Sequence, residues 1–372
     1  MNESFENLAK LKLLLSIERI GPTRILKLLS HFGEFRAILN AKVSQISAID
    51  SFNDTLAKAI IKSVHRLNTI EMSLEKEIKK LDRLGAKIIT YWNDAYPKNL
   101  KNVYLSPLIL YVHGEIIERD SDSISIVGTR KPSEYGRFYA RKFSEELSAE
   151  GITIVSGLAR GIDSIAHRGT LKVGGRTIAV IGSGLDVIYP PENRKLYDEI
   201  VENGAIISEF ELGTKPDAPN FPRRNRIISG MSLGTLIIET KVGGGAMQTA
   251  AHALDQNREV FALPGNLNCA QAEGTNILIQ KGEAKLITNI TDILSELRLN
   301  YNTKVKKQKS FENHNLNFFE QAIINTLSDK PKHIDLIAEE SNIATADCLV
   351  YLLNLELKGF IQQLPGKNFS IL

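Results

Sequence analysis

Two hydrophobic periodicities divide this chain. Over roughly the first 75 residues, apolar positions such as Leu8, Leu11, Leu14, Leu15 and Ile17 fall at helical spacing. From about residue 86 the pattern changes to short, nearly continuous apolar runs at 86–90, 108–112, 124–127, 153–155, 178–181, 205–207, 235–238 and 260–262. Continuous runs, unlike alternating ones, fit strands buried on both faces of a parallel sheet. Helical stretches at 139–150 and 163–171 lie between them. That βαβ alternation predicts an α/β fold with a doubly wound, mostly parallel sheet, whose ligands bind beyond the carboxyl ends of the strands.

The flanking segments read differently. Arg19-Ile20-Gly21-Pro22-Thr23-Arg24-Ile25 predicts a tight turn between two helices, with Pro22 in the first turn of the second. It resembles half of a helix-hairpin-helix element, whose glycine turn can offer backbone N–H groups to a phosphate. The second half, around Ile49-Asp50-Ser51-Phe52, lacks the glycine. DNA contact and a plain helical packing domain both remain open here. Residues 300–310 carry four lysines and no acid and read as a linker. Beyond them, helices at 316–329, 334–341 and 344–358 precede a ribbon, 360–363 and 368–372, around Leu364-Pro365-Gly366-Lys367. Three helices and a wing predict a winged-helix domain. The expected domains are 1–75, 76–299 and 311–372.

Charge changes the picture more than composition does. The 372 residues carry a net +3, but residues 311–372 hold eight acids and four lysines, a net −4. The first 310 residues therefore carry +7. The would-be reading helix, 344–357, contains Asp347 and Glu356 and no Lys or Arg. A helix entering a major groove needs cations for the phosphates, so this domain is expected to contact protein. Cys269 and Cys348 resemble neither a disulfide framework nor a zinc site. No uncharged apolar run reaches the ~18 residues of a membrane helix, and residues 1–10 lack a signal pattern. The expectation is a soluble, cytoplasmic protein with no membrane partner.

The chemistry lies in the loops after the strands. Gly128-Thr129-Arg130-Lys131 follows the 124–127 run and leads into a helix whose free amides favour an anion. Arg130 sits at the functional edge, whereas Arg137, Arg141 and Lys142 fit a solvated helix face. Ser156-Gly157-Leu158-Ala159-Arg160-Gly161-Ile162-Asp163 follows the next run; Asp163 fits a helix cap, and His167 fits a packed histidine. Gly182-Ser183-Gly184-Leu185-Asp186-Val187 begins like a dinucleotide fingerprint, but Val187 stands at the third glycine position. There is no G-x-x-x-x-G-K-[ST] loop and no G-x-S-x-G elbow. In Phe221-Pro222-Arg223-Arg224-Asn225-Arg226-Ile227, the helix is expected from Ile227 with Pro222 at its start. Three arginines would then crowd the positive end of its dipole and demand anionic partners. At least one is expected to pair with Glu209 or Glu239 and at least one to face a ligand. Lys241-Val242-Gly243-Gly244-Gly245 can cradle a phosphate on its amides, ahead of Thr249.

Taken in order, these strings resemble the DNA-processing protein A (DprA, or Smf) family. The match adds Ser208-Glu209, Phe261-Ala262-Leu263-Pro264-Gly265 and Glu273-Gly274-Thr275-Asn276, and it runs unbroken from about residue 86 to 290. The resemblance implies an extended Rossmann-like domain flanked by an N-terminal helix-hairpin-helix or SAM-like domain and a C-terminal winged helix. It further implies a homodimer that binds single-stranded DNA and loads the RecA recombinase in natural transformation, with no cofactor, no metal and no catalytic activity. Loops and resemblance together give the expected DNA-contacting set: Gly128, Thr129, Arg130, Lys131, Gly157, Arg160, Gly182, Ser183, Gly184, Phe221, Arg223, Arg224, Asn225, Arg226, Lys241, Gly245 and Thr249. Thr129 and Ala246 stand where many relatives have serine, and Gly243-Gly244 replaces a basic-serine pair. The alternative is a nucleotide-processing, phosphoribohydrolase-like enzyme with Glu209 or Glu239 as acid or base. No nucleophile–base pair is identifiable for it.

Overall fold

The computed structural model describes residues 3–297, 317–327, 331–358, 360–364 and 366–371. The linker expected at 300–310 lies outside them. The chain forms two compact units, residues 1–301 and 302–372.

In the first unit a nine-stranded sheet comprises β1 (Ala86–Thr90), β2 (Ile109–Gly114), β3 (Ser123–Val127), β4 (Thr153–Ser156), β5 (Thr177–Val180), β6 (Gly204–Ser208), β7 (Gly234–Ile237), β8 (Glu259–Ala262) and β9 (Lys285–Leu286). Their order is β1-β2-β6-β5-β4-β3-β7-β8-β9. From β6 to β9 all neighbours are parallel, whereas β1–β2 and β2–β6 are antiparallel and extend one edge. Every apolar run became a strand; β1 is an antiparallel edge strand with Lys87 exposed, whereas in the parallel interior Ile124 and Ile126 pack into one layer and Val127 into the other. The first layer includes helices Glu134–Ala149 and Ile162–Lys172; the second includes Asn220–Met231 and Gly245–Asp255.

Six helices between Glu3 and Leu84 precede the sheet. Their core is continuous with it, since Leu14, Ile25, Ile38 and Ile60 share one buried cluster with Tyr111, Leu185 and Tyr197. The half-buried Lys12 ties the junction, pairing with Glu77 and, at 2.8 Å, with Glu211 beyond β6. Gly21 and Pro22 open helix Pro22–Phe32 as expected. At the second hairpin, where no glycine stands, Ser51 takes the left-handed conformation at φ 75°.

The second unit contains helices Phe318–Thr326, Ile334–Ser341 and Thr345–Leu357 with a three-stranded sheet, β10 (Lys332–His333), β11 (Ile361–Leu364) and β12 (Asn368–Ile371). Ile323, Ile337, Leu352, Leu355 and Phe369 form its core. Asn317 caps the first helix, and Glu320 pairs with Lys358 at 2.7 Å. Helix Thr345–Leu357 presents Leu349, Val350 and Leu353 to solvent.

Candidate nucleic-acid interface

The strand order has one reversal. From β3 the chain runs outward through β4, β5 and β6, then returns to place β7 on the other side of β3. Open α/β sheets bind ligands at such a switch point, because the diverging loops leave a crevice. Here it is a cleft of about 440 Å³. Gly128, Thr129, Arg130 and Lys131 line it from the β3 loop; Ala159 and Asp163 come from the β4 side. Phe221, Arg224 and Asn225 line it from helix Asn220–Met231, and Thr240, Lys241, Gly245 and Thr249 from the region after β7.

The walls are fixed by buried polar contacts. Thr129 N–H donates to the Glu239 carbonyl at 2.7 Å. The buried Glu239 carboxylate accepts the Ser133 amide at 2.9 Å and the Ser133 hydroxyl. Ser133 Oγ in turn accepts the Gly136 amide at 3.2 Å and caps the helix. The loops after β3 and β7 are thus one framework, which leaves Arg130, Lys131, Lys241 and Gly245 exposed above it.

Arg224 is the exception among the cations because it is buried, at 4% exposure. Its Nη1 donates to the Val180 carbonyl at 3.1 Å, while its Nε lacks a hydrogen-bond partner. Burial pulls its pKa down to about 10, opposed by Asp163 and reinforced by Arg130. The Asp163 carboxyl is pushed up by burial, against the pull of Arg224 and the Ala159 and Gly157 amides. Gly157 makes the meeting possible: a Cβ there would lie 1.5 Å from Arg224 Nη1 and 2.6 Å from Asp163 Oδ2. A buried N–H donor beside an open cationic cleft can donate to an anionic oxygen at little reorganisation cost.

Beside the cleft runs a strip of two neighbouring rings with a cation at each end. The Arg130 guanidinium lies 5.4 Å from the Phe221 ring centre, and Phe221 lies 6.0 Å from Tyr189. Arg160 lies 6.0 Å from Tyr189 and pairs with Glu192. A smaller pocket beneath this strip is bordered by Gly182 and Ser183. Partly exposed rings flanked by guanidinium groups are what unpaired bases stack upon.

The structure does not bring all the expected residues to the cleft. Helix Asn220–Met231 starts seven residues before Ile227, so the arginines lie beyond its first residues and do not crowd the dipole. Pro222 is tolerated inside the first turn, where no intrahelical amide donor is needed. Arg226 pairs with Glu209 and donates to the Leu105 carbonyl at 2.6 Å. Arg223 lies 3.7 Å from the same carboxylate and 5.2 Å from the Phe210 ring centre. Burial pushes the Glu209 carboxyl up, opposed by both arginines. Gly157 makes room for Arg224 and borders the smaller pocket rather than the cleft. Gly184 packs against the Glu211 carbonyl, where a Cβ would fall at 2.5 Å, and Ser183 Oγ donates to the Val187 carbonyl at 2.7 Å. The helix cap expected at Asp163 is Gly161, at φ 79°. His167 is fully buried, with Nδ1 at 2.7 Å from Thr177 Oγ1. Sequence reasoning missed the stacking position of Tyr189 and the lining residues Gln248 and Gln271. The available signal was Tyr189-Pro190-Pro191, an aromatic held on an extended turn just after the Gly182 loop. Among the described residues there is no cluster of potential metal ligands and no helix long and apolar enough to cross a membrane.

Comparison with known proteins agrees with this architecture. Residues 87–298 match the family described as DNA recombination-mediator protein A, residues 317–367 the DprA winged helix domain, and residues 11–66 the SAM-like helix-hairpin-helix tandem. Protein Smf of Escherichia coli is 35% identical over 349 residues, covering 92% of this chain and 93% of Smf. The X-ray structure of DNA processing protein A from Streptococcus pneumoniae aligns with TM-score 0.66 at 32% identity, over 80% of this chain and 99% of that one. The Helicobacter pylori protein, whose structure was solved for its single-stranded DNA binding mode, aligns with TM-score 0.52 at 32% identity, over 58% and 97% of the two chains. An extended Rossmann-like sheet preceded by a helix-hairpin-helix tandem and followed by a winged helix, matched in sequence over nearly its whole length, means that this chain belongs to the DNA recombination-mediator protein A (DprA/Smf) family.

Proposed function

We propose that the protein binds single-stranded DNA in the switch-point cleft, largely without sequence preference. As a cytoplasmic homodimer it would load a RecA-type recombinase on that strand during natural transformation. The observation that carries the reading is the cleft itself. Exposed Arg130, Lys131 and Lys241, the buried Arg224 donor and the Arg130–Phe221–Tyr189–Arg160 strip supply phosphate and base-face contacts together. The named binding mode of the Helicobacter pylori relative supports the same ligand class.

Geometry disfavours the nucleotide-processing alternative. Of the two carboxylates considered as acid or base, Glu239 is held by Ser133 and Glu209 by Arg226 and Arg223. Neither is among the residues lining the cleft.

Titrating a labelled oligonucleotide tests the reading. Single-strand affinity should fall steeply with salt, and Arg130→Ala should lower the log–log salt slope by about 0.7, one phosphate contact's worth. An unchanged slope and affinity for both Arg130→Ala and Lys131→Ala would refute the site. Adding a RecA-type recombinase to the bound complex should speed filament nucleation, and no acceleration would refute the loading role.

A further inference from the structure

We propose that the switch-point cleft is a dead-end seat for a terminal phosphate monoester, the end of a strand or a free nucleoside monophosphate, with mid-strand diesters left to the strip outside; this rests on the single-strand reading. The surround of the cleft is tied together. Besides the Thr129–Glu239 bond between the loops after β3 and β7, Asn225 Nδ2 donates to the Gly245 carbonyl at 3.5 Å, joining the two helices that line it. The Gly274 amide donates to the Thr240 carbonyl at 2.8 Å, which seats the segment carrying Gln271 against the loop after β7. A strand passing through would need an exit opposite its entrance, whereas an end needs only one mouth.

The charge inside fits two negative charges better than one. Arg130, Lys131, Arg224 and Lys241 line the cleft with one carboxylate, Asp163, which burial pushes towards its neutral form. Among the described residues, Arg130, Lys131 and Lys241 have no carboxylate within ion-pair distance. Helix Gly245–Asp255 opens on the same cleft with no side-chain cap and no acid in its first turn, so its first amides are left for an anion. The Arg224 Nε–H is an independent pointer, a donor without a partner on a side chain 4% exposed. A mid-strand diester carries one charge, and a terminal monoester carries nearly two near neutral pH. Arg130, Phe221 and Arg224 border both the cleft and the smaller pocket beneath the strip. A strand whose end sits at Arg224 therefore leaves past Phe221 and Tyr189, with its first bases on those rings.

The test titrates the full-length protein with thymidine oligonucleotides of about 8 nucleotides, enough for one site, carrying a phosphate at the 5′ end, at the 3′ end or at neither. At pH 8 one phosphorylated end should bind about fivefold more tightly than the hydroxyl strand, the worth of one more charge about 4 Å from a cation in water. That gain should vanish at pH 5, below the second phosphate pKa of about 6. Gly245→Val should remove it too, read as the ratio of the two affinities. Nothing lies within 4 Å of a Cβ at Gly245, so the variant folds and its side chain enters the cleft. Thymidine monophosphate should displace the phosphorylated strand, and thymidine should not. Displacement at concentrations close to the oligonucleotide's own would make the free nucleotide the source of the phosphate; displacement only far above them would make it the strand end, and both support the seat. Equal gains at both ends, which are the added charge alone, would overturn it, as would a gain that survives in Gly245→Val. If wild type binds none of the three strands, the single-strand reading itself fails. If it binds all three alike, only the terminal seat fails.

Discussion

Replacing Arg224 with methionine isolates what the buried guanidinium does. Arg224 and Asp163 are both almost excluded from water, and each offsets the other's desolvation. Methionine fills much of the same volume without the charge, so Asp163 is left with the Ala159 and Gly157 amides and the more distant Arg130. Arg224 acts on Asp163 through space rather than in a contact ion pair, so removing it leaves the carboxylate buried and less compensated, at a cost below that of breaking a contact pair. The weak Ala159 contact, 3.4 Å long, offers little relief, so a loss of roughly 1–3 kcal/mol is expected near pH 8.

The pH dependence gives the sign. Burial already raises the Asp163 carboxyl above its ordinary value, and removing Arg224 raises it further. A carboxyl raised in the fold binds more protons folded than unfolded, so its penalty is greatest at high pH and shrinks as pH falls through the folded pKa. The deficit of Arg224→Met should therefore be smaller at pH 5.5 than at pH 8. Asp163→Asn/Arg224→Met should recover much of that loss at pH 8, since the unpaired charge is gone. Urea unfolding followed by the single tryptophan, Trp92, reads this directly, because Trp92 packs on Phe35 at 5.7 Å within the first unit. A double variant no more stable than Arg224→Met at pH 8 would refute the pairing, as would a deficit independent of pH. The double variant, though folded, should still bind single strands weakly, which separates the donor role of Arg224 from its place in the core.

Gly157→Ala should mimic the loss of Arg224, since its Cβ would force the guanidinium out; wild-type unfolding and DNA-binding curves would contradict this. His167 is buried, and its pKa is lowered to about 3 from 6.5. A depressed histidine stabilises the fold above its unfolded pKa, so the first unit should lose about 1.4 kcal/mol per pH unit below 6.5, a slope that His167→Gln removes. Deleting residues 311–372 should leave single-strand affinity within about tenfold of the full chain, because helix Thr345–Leu357 offers acids and exposed Leu349, Val350 and Leu353 rather than cations. A larger loss in an anisotropy titration would mean that the winged helix contacts DNA.

What the sequence made legible follows from how local each signal is. Strands buried on both faces announce themselves as apolar runs, so β2 to β8 could be read in place, and the half-exposed edge strand β1 was read from its Ile88 and Ile89. Strand β9 could not: Lys285 and Leu286 are two exposed residues whose strand character comes only from pairing with Phe261 and Ala262. Glycine-plus-cation loops at strand ends were equally readable, because strand direction alone sends them to one edge. The roles of the individual arginines were not. Whether Arg223, Arg224 or Arg226 faces a ligand depends on which carboxylate each meets, and those carboxylates, Glu209 and Asp163, arrive from the loop after β6 and the helix after β4. A single misplaced helix start was enough to exchange the argument: begun at Ile227, the arginines strain a dipole, but begun at Asn220 they take successive positions around a helical turn. Those positions diverge in direction, since neighbours on a helix lie about 100° apart. That rotation sends Arg224 to the cleft and Asp163, and Arg226 to Glu209 and Leu105. One basic string thereby lines the cleft with Arg224 and ties the β6 loop to Leu105 with Arg226.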